Sequence, residues 1–140
     1  MSDEALLLAA AQLLGASPSV EELATPQIRF QQCTACGFRR YPPAPVCPEC
    51  LASESEWMPD DGVGAIWSYC VYHRAFNPAF SGAVPYNVVL VELDSGPRMI
   101  SNLLGIEPSD LRIGLRVVAQ PREIAPGRFL VYFVPGASSP

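Results

Sequence analysis

The sequence predicts a mostly β fold that is preceded by short N-terminal helices. Three observations support this prediction. An apolar run opens the chain, two Cys-x2-Cys pairs follow it, and five runs rich in β-branched and aromatic residues, separated by turn sequences, occupy residues 63–134. With 140 residues, of which 49% are hydrophobic, the chain is long enough for one ordinary core or for two small units that share one.

The first helix is predicted over residues 1–15. Asp3 suits the positive end of a helix dipole, and Gly15 can end the helix. A second short helix is expected to follow, capped by Ser17 or Ser19 and ended by Pro26.

The run 5–14 within the first helix is apolar almost all round. A helix of this kind does not stay free in water, so something must cover it. The sequence leaves two covers open, namely the chain's own domain and another chain, which would be a partner subunit or a second copy of this one. In the second case the contacting residues would be Leu6, Leu7, Leu13 and Leu14.

Four cysteines carry the strongest functional signal in the sequence. The pairs Cys33/Cys36 and Cys47/Cys50 are separated by ten residues, which is the spacing of a zinc ribbon. Four thiolates suit a tetrahedral zinc ion and leave no open coordination position, so one structural Zn²⁺ is predicted. Iron in a rubredoxin-like role, disulfides or an empty site are the alternatives.

Two further expectations concern residues around the cysteine pairs. Trp57 is expected to fill the space between the ribbon and the next domain, and the fifth cysteine, Cys70, to be a small buried residue of a strand. Because residues 33–50 contain little apolar material, removal of the metal should unfold them and release the N-terminal helices.

The charge composition argues against a nucleic-acid partner. The net charge is −5 and the nine basic residues, all arginine, are scattered, whereas a nucleic-acid binder needs a basic stripe. No run reaches the roughly 20 apolar residues of a membrane helix, and the residues before the apolar run are acidic, unlike a signal peptide. Cysteines in metal-ligand spacing fit a reducing compartment. We therefore expect a cytoplasmic protein without nucleic-acid or membrane partners.

Five strands are predicted after the turn at residues 60–64. They cover residues 63–72, 86–94, 98–104, 115–121 and 128–134. A single helical turn at 107–111 falls between the third and fourth strands, which is the order of an OB fold, a small closed Greek-key barrel. The predicted division is a helical segment 1–26, a zinc ribbon 27–59, an OB fold 60–136 and a flexible tail 137–140.

The longest predicted loop of the barrel connects its first two strands. Long loops on a rigid barrel often carry binding residues. The candidate ligand-binding or partner-binding residues in and beside this loop are Tyr72, His73, Arg74, Phe76, Phe80 and Tyr86. The alternative is that the tyrosines belong to the barrel core and the phenylalanines only hold the loop in place. His73 is the single histidine and has no evident catalytic partner, so no catalytic residue is predicted.

Taken in order, these motifs resemble the acyl-CoA-associated zinc-ribbon/OB-fold proteins, domain-of-unknown-function family thirty-five. The resemblance covers roughly residues 28 to 135. It rests on Cys-Thr-Ala-Cys-Gly followed by Tyr41-Pro42-Pro43, on Cys-Pro-Glu-Cys, and on the later Gly62-Val63-Gly64. Leu51 departs from the pattern, because the second cysteine knuckle often carries glycine at this position.

The resemblance implies N-terminal helices, a rubredoxin-like ribbon and then the barrel. It also implies a non-catalytic accessory subunit of a thiolase-like acyl-CoA enzyme, such as a thiolase or retro-aldolase of lipid or steroid side-chain metabolism. In such a hetero-oligomer the chain would stabilise the partner or help to bind acyl-CoA.

Two other functions stay open at this point. A stand-alone acyl-CoA-binding module would need cations for the phosphates, and the arginines in or near the barrel strands are Arg98, Arg112, Arg116 and Arg122. A single-stranded nucleic-acid-binding OB protein is disfavoured by the acidic net charge.

Overall fold

The computed structural model describes residues 3–14 and 23–136. The described ranges contain one α-helix, eight strands and two 3-10 turns. In chain order they are α1 (Asp3–Leu14), β1 (Arg29–Cys33), β2 (Arg39–Arg40), β3 (Ser55–Pro59), β4 (Val63–Tyr72), the 3-10 turn Pro78–Phe80, β5 (Tyr86–Leu93), β6 (Arg98–Ser101), the 3-10 turn Pro108–Asp110, β7 (Arg116–Ala125) and β8 (Arg128–Pro135). The predicted mostly β fold is confirmed.

The strands form two antiparallel sheets. The ribbon sheet has the order β2–β1–β3, and the larger sheet has the order β6–β5–β4–β7–β8. The larger sheet curls into a nearly closed barrel, because a parallel bridge from Leu103 to Phe133 joins the segment after β6 to β8. With a helical turn between the third and fourth barrel strands, this is the predicted OB arrangement.

A buried amide fastens the barrel where it closes. The Asn87 side chain is 1% exposed. Its Nδ2 donates to the Leu103 carbonyl at 2.8 Å, and the Leu103 N–H donates to Asn87 Oδ1 at 2.7 Å. These two bonds connect β5 to the chain after β6 in place of a strand ladder, and they satisfy polar atoms that would be costly to bury unpaired.

The ribbon contributes side chains to the barrel core. Ile28 and Phe30, beside and in β1, belong to the same buried cluster as Val91 and Phe133 of the barrel. The Asp60 N–H also donates to the Ile28 carbonyl at 3.0 Å. The two sheets therefore share one core, and the division of the chain at residues 26, 59 and 136 stays a prediction.

Helix α1 packs on the barrel. Leu6 is 1% exposed and lies in a buried cluster with Ala83, Leu104 and Tyr132. The Gly105 N–H donates to the Asp3 carboxylate at 3.0 Å. These contacts attach α1 to the barrel, so they do not favour the expectation that removal of the metal releases this helix.

The leucines assigned to a partner surface divide into three cases. Leu6 is covered by the chain's own domain, so it is not open to a partner. Leu7 is partly buried against the same cluster. For Leu13 and Leu14 the structure describes only the helical backbone, and their role stays a prediction.

The predicted second helix falls mainly on residues 15–22, outside the described ranges. At its expected end the backbone is extended, because Leu23 forms an antiparallel bridge with Phe129. The Leu23 N–H donates to the Phe129 carbonyl at 2.8 Å, and the reverse bond is 2.9 Å. The prediction of helix up to Pro26 is therefore wrong for residues 23–26.

Trp57 and Cys70 were both expected on the inside, and both expectations are wrong. Trp57 is 49% exposed. It pairs with Gln31 on one face of the ribbon, and its strand neighbour Met58 pairs with the buried Phe30 on the other face. Cys70 is exposed because a bulge between Ile66 and Ser68 reverses the alternation of β4.

Candidate metal centre and aromatic surface

Two short turns bring the four cysteines together. Each turn is closed by a backbone bond from the residue after the second cysteine to the carbonyl of the first. Gly37 N–H donates to Cys33 at 2.9 Å, and Leu51 N–H donates to Cys47 at 2.9 Å. Both donors have positive φ, 82° at Gly37 and 67° at Leu51, which bends the chain around the sulfurs.

The sulfur positions fit a single zinc ion. All four Sγ atoms lie within 4.8 Å of one another. The Cys33–Cys50 distance is 3.5 Å and the Cys36–Cys47 distance is 3.7 Å. Four tetrahedral Zn–S bonds of about 2.3 Å require sulfur separations of about 3.8 Å, whereas a disulfide requires about 2.05 Å. The zinc interpretation is therefore favoured over disulfides.

Backbone N–H groups favour the thiolate form at the first cysteine of each pair. The N–H groups of Cys36 and Ala35 lower the pKa of the Cys33 thiol to about 6. At Cys47, burial opposes ionisation, but the N–H groups of Cys50 and Glu49 lower the pKa of the thiol. A bound dication supplies the charge that allows the remaining two thiols to ionise as well. The cluster suits a closed structural site.

The structure brings five of the six candidate residues, four aromatic side chains and one arginine, into one group. The Tyr72 and Tyr86 rings stack with centroids 5.2 Å apart. Phe76 meets the Tyr72 ring edge-on at 6.1 Å, and Phe80 lies 5.2 Å from Tyr86. The Arg74 guanidinium sits 5.5 Å from the centre of the Phe76 ring. We call this group, Tyr72, Arg74, Phe76, Phe80 and Tyr86, the aromatic surface.

The members of the aromatic surface differ in exposure. Phe76 is 74% exposed. Phe80 and Tyr86 are partly buried against the cluster that contains Leu6 of α1 and Tyr132 of the barrel. Burial also raises the pKa of Tyr86 above its usual value. The interpretation that Phe80 holds the loop in place therefore fits, and Phe76 is the side chain presented to solvent.

His73 stands apart from this group. It is exposed, and no hydrogen bond, ion pair or ring contact joins it to another residue in the described part of the chain. The barrel arginines are also dispersed. Arg98 pairs with Glu92 at 3.0 Å and Arg116 with Asp94 at 2.6 Å, and the second pair lowers the pKa of Asp94.

Sequence reasoning missed Arg40 and the segment after it. Arg40 is 4% exposed, and Tyr41 and Pro42 form the wall between two cavities. The sequence shows these residues only as the edge of the ribbon. The burial of an arginine on a two-residue strand leaves no periodic signal.

The fold and the cysteine cluster define a zinc-ribbon protein with an attached OB barrel. Comparison with known families agrees. Residues 20–56 match the rubredoxin-like zinc ribbon domain of ChsH2, and residues 57–120 match the C-terminal OB-fold domain of ChsH2. The chain belongs to the DUF35 family of such proteins, as the resemblance predicted.

Two solved structures resemble this one. The Ltp2-ChsH2(DUF35) aldolase contains a chain that is 35% identical, with a TM-score of 0.69, over 96% of this chain and 95% of that chain. A DUF35 protein of unknown function from Sulfolobus solfataricus has a TM-score of 0.52 at 15% identity, over 79% of this chain and 76% of that one. The second likeness concerns the fold alone.

Curated relatives include subunits of acyl-CoA hydratases and scaffold proteins. A probable enoyl-CoA hydratase alpha subunit of Thermomonospora curvata is 41% identical over 76% of this chain, which spans only 33% of that relative. A DUF35 domain-containing scaffold protein of Methanocaldococcus jannaschii is 32% identical over 66% of each chain. The 3-oxo-4,17-pregnadiene-20-carboxyl-CoA hydratase alpha subunit of Mycobacterium tuberculosis is 32% identical over 66% of this chain and 29% of its own length.

One negative finding concerns membranes. Among the residues that the structure describes, no helix has the length and apolar character needed to cross a bilayer.

Proposed function

We propose that this chain is a non-catalytic accessory subunit that docks on an acyl-CoA enzyme subunit of the thiolase or retro-aldolase type. In the complex it stabilises the partner or helps to bind acyl-CoA, and the reaction takes place on the partner. The scaffold proteins and the aldolase complex among its relatives support this role. We further propose that it acts in the cytoplasm, where thiols stay reduced and available to a metal.

The observation that carries the proposal is the aromatic surface. Phe76 is 74% exposed although it is large and apolar, and it adjoins the Tyr72 ring and the Arg74 guanidinium. Aromatic side chains with arginine are enriched where proteins bind one another. A rigid barrel that presents such a loop is therefore suited to docking.

The chemistry of the described residues supports a non-catalytic role. In a closed metal site all four clustered cysteines are ligands, so none of them is available as a nucleophile. His73 has no neighbouring acid, base or nucleophile to form a catalytic set, among the contacts that the described residues make. The proposed function therefore assigns binding and positioning to this chain, and proton transfer and bond cleavage to the partner.

Co-expression tests the proposal. The tagged chain is produced with thiolase-like and hydratase-like subunits encoded beside it, and complexes are isolated by affinity capture and gel filtration. Phe76→Ser should lower recovery of the partner at least about tenfold, as expected for loss of a central aromatic contact.

Ile113→Ser is the matched control, because Ile113 is also 70% exposed and lies outside the aromatic surface. It should leave recovery of the partner unchanged. If no pairing gives a complex, or if Phe76→Ser retains the partner as well as the control does, the docking proposal is wrong.

A further inference from the structure

Two cavities lie on either side of one wall. The first, of about 1190 Å³, runs between the ribbon and the turn from β5 to β6. The second, of about 550 Å³, lies between α1, β5, β6 and β8. Both are lined by Tyr41, Pro42 and Arg98, so the two spaces meet at these residues. The second volume falls within the range of small-molecule sites, about 300–1,000 Å³.

The second cavity is apolar. Its lining includes one side of α1 and the outer face of the barrel sheet. The apolar lining residues are Leu6, Ala10, Phe80, Leu90, Ile100 and Leu130. Ile100 is 70% exposed at the cavity, although a branched aliphatic side chain gains free energy when it is covered. We call this space the tail cavity.

The first cavity is cationic. Arg39, Arg40 and Arg98 line it, with Glu92 as the acidic residue among its lining side chains. Arg98 pairs with Glu92 at 3.0 Å, and Arg39 pairs with Asp60 at 3.4 Å. Arg40 has no such ion pair among the described residues. We call this space the head cavity.

Besides the two adjoining cavities, the state of Arg40 independently indicates a ligand. It is 4% exposed. Its Nε donates to Gln31 Oε1 at 3.0 Å, and its Nη2 donates to the Ala44 carbonyl at 2.9 Å. Its Nη1 is buried and has no hydrogen-bond partner in the described ranges. A buried guanidinium without a carboxylate and with an unpaired N–H is costly, and an anion would offset both costs.

We propose that the two cavities form one site for an amphipathic anion. A hydrocarbon tail occupies the tail cavity, and a negatively charged head reaches the Arg40 and Arg98 side chains past the wall of Tyr41 and Pro42. Acyl-CoA is a ligand of this class, with an apolar acyl chain and anionic phosphates. Its choice as ligand rests on the proposed function, whereas the site itself is contained in this chain.

Direct binding to the zinc-loaded full chain tests the site without any partner enzyme. The probes are decanoyl-CoA, coenzyme A as the head alone and 1-decanol as the tail alone, each measured by calorimetry. Decanoyl-CoA should bind once per chain and at least about tenfold more tightly than either part, because one molecule then uses both cavities. The absence of saturable decanoyl-CoA binding at 1 mM, or equal affinity for coenzyme A alone, would overturn the proposal.

The tail cavity is tested by Ile100→Glu. A carboxylate at this exposed position should weaken decanoyl-CoA binding at least about tenfold, because the hydrocarbon chain would have to desolvate a charge. Ile113→Glu is the matched control with the same 70% exposure, and it should bind as the parent does. Equal weakening by both substitutions would show a general effect of charge and would contradict the tail assignment.

The head cavity is tested by Arg40→Gln and Arg98→Gln, with the exposed Arg112→Gln as the control for lost charge. Each of the first two should weaken decanoyl-CoA binding at least about fivefold. Arg40→Gln should also leave 1-decanol binding unchanged, because Arg40 lines the head cavity and not the tail cavity. Arg98 is partly exposed, so its variant gives a result even if Arg40→Gln does not fold. Parent-like binding by Arg98→Gln would contradict the head assignment.

Trp67 offers an optical signal for the same event. The Arg98 guanidinium lies 4.1 Å from the centre of the Trp67 ring, so a head group that draws Arg98 away should change Trp67 fluorescence. Trp57→Phe removes the background of the other tryptophan. Because Phe76 does not line either cavity, failure of docking and failure of ligand binding are separate results.

Discussion

Leu51 holds a backbone conformation that suits glycine. Its φ is 67°, and Gly37 occupies the corresponding position of the first cysteine turn with a φ of 82°. A left-handed residue with a β-carbon costs roughly 1–2 kcal/mol. Packing of the Leu51 side chain offsets little of this cost, because the side chain is 76% exposed. The second turn is therefore strained, and its bond to the Cys47 carbonyl keeps the strain in place.

Leu51→Gly should stabilise the zinc-loaded protein. The expected increase in the free energy of unfolding is about 1 kcal/mol, since relief of the left-handed strain exceeds the extra flexibility of glycine in the unfolded chain. Urea denaturation at saturating zinc measures it. Leu51→Ala, which keeps the β-carbon, is the control and should give no gain. Equal stabilities of the glycine and alanine variants would contradict the strain argument.

Gly64 is required for a different reason, the close approach of two strands. A β-carbon at this position would lie 2.9 Å from the Leu93 Cα on β5. Gly64→Ala should therefore lower the free energy of unfolding by about 2–3 kcal/mol through strand displacement.

Gly82→Ala is the control for Gly64→Ala, because a β-carbon at Gly82 meets nothing within 4 Å. It should be neutral or slightly stabilising. A melting temperature of Gly64→Ala equal to that of the Gly82 variant would show that the strands can separate without cost.

At the scale of elements, we expect the ribbon to depend on its metal and α1 to be independent of it. The cysteine turns contain few buried side chains apart from the cysteines themselves, so metal binding supplies much of their folding free energy. α1, in contrast, is held by Leu6 in a cluster with Leu104 and Tyr132.

Chelation should therefore expose the ribbon and spare the helix. Hydrogen exchange should show loss of protection at the Gly37 and Leu51 amides, with α1 and the Leu104 amide of the barrel closure still protected. Cys36→Ser should have the same effect as the chelator. Simultaneous loss of protection in α1 and the cysteine turns would show that the helix does depend on the ribbon.

The sequence predicted the elements well where a local pattern defines them. The turn sequences and β-branched runs located all five barrel strands, and the cysteine spacing located the ribbon. The sequence did not predict on which face of the sheet each side chain lies. The bulge before Ser68 turns Cys70 outward, and nothing in the residues around it indicates an extra residue in the ladder.

Long-range contacts explain the remaining differences between prediction and structure. The apolar run of α1 indicates that the helix must be covered, but it does not indicate which surface covers it. In the structure that surface is the cluster around Leu104 and Tyr132. The extended backbone at Leu23 depends on pairing with Phe129, more than 100 residues away. Arg40 is buried where its guanidinium donates to Gln31 of the neighbouring ribbon strand, a pairing that the local pattern does not show.

At the scale of the whole molecule, stability should fall at alkaline pH. Burial raises the pKa of Tyr132 to about 12, whereas an exposed phenol ionises near pH 10. The folded state thus keeps a proton that the unfolded state loses. The stabilisation is fully present below about pH 10 and is lost as the pH rises to about 12, by at most about 2–3 kcal/mol.

Tyr132→Phe should flatten this dependence. Melting temperatures between pH 8 and pH 11 should fall less in the variant than in the parent. The chain has no lysine, and its other tyrosines and its cysteines are the same in both proteins, so the difference reports Tyr132. Tyr69→Phe is the control. It likewise removes one tyrosine hydroxyl, which donates to the Leu111 carbonyl at 3.3 Å, so it controls for the loss of a hydroxyl as such. An unchanged slope in Tyr132→Phe would assign the alkaline loss to other groups.

The wall of Tyr41 and Pro42 comes from the ribbon, and the facing Arg98 comes from the barrel. A molecule that contacts both sides of this wall would link the ribbon to the barrel and stabilise their association. Its binding and the retention of the ion in the cysteine cluster would then be linked equilibria, and linkage is reciprocal. Such a ligand should raise the apparent affinity of the cluster for zinc, so that the zinc retained against a competing chelator at equilibrium reports occupancy of the site.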